Sequence, residues 1–231
     1  MGVVLYNFNM NRKVQFAPGE FYHIYDRGVE KRLIFNAEAD LRRFQRSLFI
    51  FNSEKDLIYR LVESKKLSEI DRGDTIVDIG PYILMPNHFH LILYEKKEGG
   101  ISSFMQKMIT SYTMYFNKKY NRSGSLFGST FHSRHIGSDD YLRCLSSYIH
   151  LNKVIKENYK KLKKDKKKLK AELSRFQYSS YLDYSTDSTR EASALLNKDA
   201  FPLDYYDTAD FEDLLYDWYE YKNVYADEVQ G

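Results

Sequence analysis

The sequence predicts an α+β fold: a ferredoxin-like antiparallel sheet with helices on one face, followed by a C-terminal helical extension. Three observations predict it. Strand-like and helix-like stretches interleave along the first 150 residues. The two apolar runs in Tyr82-Ile-Leu-Met-Pro-Asn-His-Phe-His-Leu-Ile-Leu-Tyr94 are separated by Pro86-Asn87 alone, so they must turn back on each other as a hairpin. Beyond Asn152 the apolar residues fall mostly at helical spacing. Residues 1–152 are therefore expected to form the main unit, with 153–231 as a helical extension packed on it.

The elements follow in order. Residues 1–20 read as irregular. Phe21-Tyr-His-Ile-Tyr25 is rich in β-formers and ends at Asp26-Arg27-Gly28, which marks a first strand. Asn36 is a candidate cap for a helix carrying Leu41, Phe44, Leu48 and Phe51 at helical spacing. A polar helical piece extends to about Lys66, and Asp71-Arg-Gly-Asp74 marks a turn. Thr75 to Met85 reads as a strand with a bulge or bend at Gly80-Pro81. Ser102 or Ser103 is expected to cap a helix with Phe104, Met108, Tyr112, Tyr115 and Phe116. A Gly/Ser-rich loop surrounds Leu126-Phe127, and Phe131 to Ile136 reads as a short strand with His132 and Arg134 on its exposed face. Ser138-Asp139-Asp140 caps the next helix, whose buried stripe is Leu142, Leu145 and Ile149. That helix is expected to run on toward Arg175. Ala209–Tyr225 reads as a final amphipathic helix.

Composition narrows the setting. One cysteine, Cys144, excludes a disulfide framework and any multi-cysteine zinc site within the chain, and points to a reducing cytoplasm. The first residues turn polar too soon for a secretory leader. The net charge of +3 conceals an asymmetry. From Phe201 onward there are nine acids against one base, −8, so the first 200 residues carry +11. A basic body suits a nucleic-acid partner, although runs of charge are also ordinary solvated surface. The −8 tail is expected to pack on that body and modulate access to it.

His88 and His90 flank a single Phe89. Side chains alternate along a strand, so both imidazoles share one face, about 7 Å apart at about 3.4 Å per residue. Two imidazoles beside a turn are half of a metal site; they are equally two histidines on a solvent face. On the later helix Tyr148 and Asn152 lie four apart and project to one side, with Tyr141 two turns upstream. By spacing alone Tyr112, Tyr115 and Tyr141 compete with Tyr148 as a functional tyrosine.

Met-Pro-Asn-His-Phe-His-Leu-Ile-Leu (85–93), Asn-Lys-Lys-Tyr-Asn-Arg-Ser-Gly-Ser-Leu-Phe (117–127) and Tyr-Ile-His-Leu-Asn (148–152), taken together, resemble the single-tyrosine HUH transposases. They resemble most the REP-associated tyrosine transposases, an impression that Tyr25-Asp-Arg-Gly28 and Tyr178-Ser-Ser-Tyr-Leu-Asp-Tyr184 strengthen. The resemblance spans roughly residues 20–225 and implies the HUH endonuclease fold. It implies that His88 and His90 are metal ligands, that Asn152 is a third, and that Tyr148 is the nucleophile. It further implies Mg²⁺ or Mn²⁺ as cofactor, and cleavage and rejoining of single-stranded DNA through a 5′-phosphotyrosine. The DNA would carry a hairpin or repeat element.

Two departures stand out: Lys153 replaces a frequent proline after Asn152, and Gly128-Ser129-Thr130 replaces a frequent Gln-Gly-Arg. Lys118, Lys119, Arg122 and Arg134 are candidate contacts to the DNA backbone. Relatives include dimers that exchange the tyrosine helix, whereas the REP-associated group, with its longer C-terminus, tends to act as monomers; the resemblance therefore favours a monomer and leaves a helix-exchanged homodimer open. Two other readings stay open: a domesticated protein that holds a DNA hairpin without cutting it, and a metal-dependent phosphodiesterase that uses water.

Overall fold

Four strands form one antiparallel sheet in the computed structural model, which describes residues 14–128, 130–157, 166–186 and 189–201. They are β1 (Phe21–Arg27), β2 (Val77–Met85), β3 (His88–Glu95) and β4 (His132–Ile136), in the spatial order β2-β3-β1-β4. The helices between them are α1 (Glu38–Phe51), the short α2 (Tyr59–Val62) and α3 (Gly100–Lys119), with α4 (Asp139–Glu157) after β4. This alternation and strand order are those of a ferredoxin-like sheet, as the sequence predicts.

The β2–β3 hairpin turns at Pro86-Asn87, with Met85 opposite His88. The register slips between Ile79 and Tyr82, so the expected irregularity at Gly80-Pro81 is present. A proline that offers no N–H fits such a slip. Gly80 is needed for a second reason: a Cβ there would lie 2.5 Å from the Phe201 ring.

The sheet has two buried faces. Tyr22 and Ile24 of β1 and Phe89, Leu91 and Leu93 of β3 pack with Phe44 and Leu48 of α1 and Phe104, Met108, Tyr112 and Phe116 of α3. Each large apolar side chain buried there contributes roughly 1.5–3 kcal/mol. This is the helix-covered face that the sequence predicts. The opposite face carries Ile83, Met85, Ile92 and Ile136, and it meets Leu142, Leu145 and Ile149 of α4. Helices therefore cover both faces of the sheet: α1 and α3 one, α4 the other.

Two helix starts differ from expectation. Asn36 does not cap α1; instead the Asp40 carboxylate accepts the N–H groups of Asn36 and Ala37, both at 2.9 Å. Asp40 is itself fully buried, paired with Lys119 and bonded by Tyr115 and Tyr120. Neither Ser102 nor Ser103 caps α3. The Glu95 carboxylate accepts the N–H groups of Gly100 and Ile101, at 3.1 and 2.7 Å. In both cases a carboxylate a few residues away along the chain, Asp40 in the first turn of α1 and Glu95 at the end of β3, takes the place of the expected amide or hydroxyl, and an anion there also suits the helix dipole. Ser138 does accept the Tyr141 N–H at the start of α4.

The extension is tied into the sheet. Helix α5 (Lys166–Arg175) adds Leu169 and Leu173 to the α4 core. The chain then runs along the outer edge of β2: Leu84 N–H donates to the Tyr178 carbonyl at 2.9 Å, and Ser180 N–H to the Tyr82 carbonyl at 3.0 Å. An edge strand that would otherwise expose unpaired backbone groups is covered. Arg190 locks this segment. It donates to Asp183 through Nε and Nη2 and to the carbonyls of Gln177 and Ser179. The expected helix at Ala209–Tyr225 lies outside the described residues.

Two outcomes follow for stability. Asp183 is fully buried and Arg190 largely so, and removing one member of such a pair strands the other charge. Arg190→Ala is expected to lower the unfolding free energy by about 3–5 kcal/mol in chemical denaturation. Asp26 faces the α1/α3 core at 2% exposure, and its Oδ2 has no partner. Burial pushes its carboxyl up from 3.8 to about 7, against the pull of the Arg27 N–H. With its folded value above its unfolded one, the native state holds the proton longer. Its contribution is thus greatest at low pH and is lost as pH rises to 7. Asp26→Asn should gain on wild type by about 1.4 kcal/mol per pH unit within that window, measured as the difference between the two pH–stability curves.

Candidate active site

The face of the sheet under α4 gathers the histidines. Pleating and register put Arg27, Tyr25 and His23 of β1 opposite His88, His90 and Ile92 of β3. On the next strand His132 and Arg134 pair with Tyr25 and His23. Side chains of paired residues project to the same face. His88, His90, His23, Tyr25, His132 and Arg134 therefore share it, while Phe89 points into the α1/α3 core.

His88 and His90 are buried, at 8% and 6% exposure, with ring centroids 5.2 Å apart and planes at 90°. His88 Nδ1 lies 2.7 Å from the Asn87 side-chain oxygen. His90 Nδ1 lies 2.9 Å from His23 Nε2. Burial, aided by the charge of Arg134, pushes His23 down to about 3, so it is neutral. The Tyr25 ring stacks between His90, at 5.8 Å, and His132, at 5.2 Å.

Helix α4 supplies the rest. Its apolar stripe sits on the sheet, and this rotation brings the Tyr148 ring to 5.5 Å from His90, edge to face. Burial pushes the Tyr148 phenol up; a hydrogen bond from the Asn152 side chain pulls the other way. Asn152 is 2% exposed, and its Oδ1 has no hydrogen-bond partner. His150, between them, points to the opposite side of the helix. Its Nε2 lies 2.8 Å from Ser180 Oγ, which also accepts the Tyr82 N–H. That link pins α4 to β2 and to the covering segment.

Of the residues singled out from the sequence, His90, Tyr148 and Asn152 come together within one chain, with His88 beside His90. Two of the three competing tyrosines lie elsewhere, while Tyr141 is on α4 itself, two turns before Tyr148. Tyr112 is in the opposite core and donates to the Ile34 carbonyl, and Tyr115 donates to Asp40. The basic candidates separate too. Arg134 is on the histidine face. Lys119 is committed to Asp40 at 2.6 Å, Arg122 to Asn117 at 2.8 Å, and Lys118 is exposed at the end of α3. His23 and Tyr25 were not singled out by the sequence. Their signal is the alternation Phe21-x-His23-x-Tyr25, which gains meaning only once β1 is known to lie beside β3.

The site suits a divalent ion. Two buried imidazoles and an orphaned buried amide oxygen offer the mixed nitrogen and oxygen donors such ions take. Among the described residues, no three His, Cys, Asp or Glu side chains are grouped to hold a metal, so the third protein donor here would be the Asn152 amide.

Residues 65–152 match the family described as transposase IS200-like. That stretch contains His88, His90, Tyr148 and Asn152. No curated protein matches the chain. Among solved structures, one described as a REP-associated tyrosine transposase bound to a REP hairpin aligns at a TM-score of 0.47 and 13% identity, covering 76% of this chain and 84% of that one. No described helix is long and apolar enough to cross a membrane.

Proposed function

We propose that this chain is a metal-dependent transposase that cleaves and rejoins single-stranded DNA, acting as a monomer on DNA with a hairpin or repeat element. The observation that carries the reading is the placement of Tyr148 against His90 in one chain, with the Asn152 amide on the tyrosine hydroxyl and its oxygen unpartnered. The match of residues 65–152 to IS200-like transposases supports it. So does the chemistry of the site, since a phenol held protonated by burial is a poor nucleophile until a cation reaches it.

His88, His90 and Asn152 would hold Mg²⁺ or Mn²⁺, which when bound would neutralise the phosphodiester and stabilise the leaving oxygen. With two imidazoles, Zn²⁺, Ni²⁺ or Co²⁺ would also load in a preparation. Tyr148 gives up its proton and its oxygen attacks phosphorus. The Tyr148 O–P bond forms, the bond from phosphorus to the 3′ oxygen breaks, and that oxygen takes up a proton. The products are a 5′-phosphotyrosine and a free 3′-OH. Attack by another 3′-OH reverses the step and rejoins strands, so no nucleotide energy source is needed. The Asn152 hydrogen bond aims the Tyr148 hydroxyl, and the Tyr25–His132 stack is a wall beside it.

The test is a labelled oligonucleotide taken from repeats flanking the gene, incubated with Mg²⁺ or Mn²⁺ and resolved by denaturing electrophoresis. Wild type is expected to give a covalent protein–DNA adduct, and Tyr148→Phe none. Tyr112→Phe and Tyr115→Phe should retain it when folded. Binding by both wild type and Tyr148→Phe with no adduct from either would favour a hairpin-holding protein. Cleaved DNA free of protein would favour a water-using phosphodiesterase.

The bases divide in a second test. Arg134→Ala should weaken single-stranded DNA binding and lower the salt slope of the affinity by about one. Lys119→Ala should mainly lower thermal stability, because it leaves buried Asp40 without its cation. Fluorescence anisotropy across a salt series and thermal melts separate the two.

A further inference from the structure

We propose that His23 is a positioning residue: it accepts the Nδ1–H of His90 and so fixes the imidazole tautomer whose Nε2 lone pair is available to a divalent ion. The inference rests on the metal reading above and adds to it a residue outside the three ligands.

The contact is well formed. His23 Nε2 and His90 Nδ1 are 2.9 Å apart and the ring centroids 5.1 Å apart, a separation that fits two imidazoles joined end to end by one N–H···N bond. His23 is 3% exposed. It sits diagonally across the β1–β3 pair, since Tyr25 is the residue directly opposite His90. Backbone register therefore holds it in place, independently of α4.

An N–H···N bond holds one proton between the two nitrogens, so there are two arrangements. If His23 donates, the His90 Nδ1 lone pair is consumed and the His90 proton is on Nε2. The ring then has no lone pair for a metal. If His90 donates, its proton is on Nδ1 and its Nε2 lone pair is left for coordination. Only the second is compatible with ligation. His88 follows the same rule without ambiguity: its Nδ1 meets the Asn87 side-chain oxygen, which can only accept, so His88 is also protonated on Nδ1. For His88 an amide oxygen decides the tautomer. For His90 a second imidazole decides it, and it must act as acceptor. Partners of this kind fix the orientation of metal-ligating histidines and raise their basicity.

The proposal is tested on the full chain. Long-range ¹H–¹⁵N correlation spectra of metal-free protein, with His90→Ala for assignment, report which nitrogen of His90 carries the proton. Wild type is expected to show the Nδ1–H form, and His23→Phe a population shifted toward Nε2–H. Free Mn²⁺, followed by electron paramagnetic resonance titration, should show an affinity about 10–100-fold weaker in His23→Phe. His23→Gln, whose amide oxygen accepts at a similar reach, should recover most of that loss, and melting curves establish that each variant is folded. A wild-type His90 protonated on Nε2 overturns the proposal without recourse to any variant. So does a folded His23→Phe that binds Mn²⁺ as wild type does, and that result leaves the metal reading intact. A wild type that binds no Mn²⁺ overturns the metal reading and this proposal together.

Discussion

The packing of α4 on the histidine face of the sheet is the contact on which the candidate site depends. Ile83 and Ile92 on the sheet and Leu142, Leu145 and Ile149 on the helix are buried together. That stripe fixes the rotation of α4 about its axis. Tyr148 and Asn152, one turn apart, then project beside His90, and His150 projects to the other side onto Ser180. A helix rotated by one residue, about 100°, would lose both relations at once. The apolar stripe and the polar pair are two halves of one constraint.

The extension serves the same end. It reaches past α4 and along β2, so that Tyr178 and Ser180 complete the backbone pairing of that edge. Ser180 also receives His150. The segment that caps the sheet is thereby the segment that anchors the tyrosine helix. Arg190, through Asp183 and two backbone carbonyls, keeps it there. The tyrosine helix lies on the sheet of its own chain, which is the arrangement a single-chain site needs.

Much of this is legible in the residues, and the limits are physical. Pro86-Asn87 between two apolar runs fixes the hairpin, and Gly80-Pro81 marks its slip, because both effects are local. His-x-His on one face follows from pleating alone. What local pattern could not supply is what tertiary structure supplies. The buried Asp40, paired with Lys119 79 residues on, shows it: its contact with the start of α1 is local, but the cation that makes its burial tolerable comes only with the fold. His23 sits 67 residues from His90 and reads as an ordinary strand residue until β1 is known to pair with β3. Spacing does not separate Tyr112, Tyr115, Tyr141 and Tyr148; Tyr112 and Tyr115 are set apart by the fold, which turns them to the α1/α3 side of the sheet.

In the proposed site one chain would hold a divalent ion between the β3 histidines and the Tyr148–Asn152 turn of α4. Pulsed electron paramagnetic resonance of Mn²⁺-loaded protein tests it most directly. The account predicts electron–nuclear coupling to two imidazole nitrogens, reduced to one in His88→Ala and in His90→Ala, and weaker binding in Asn152→Ala. Mn²⁺ bound without imidazole coupling, or coupling that survives loss of both histidines, would contradict it.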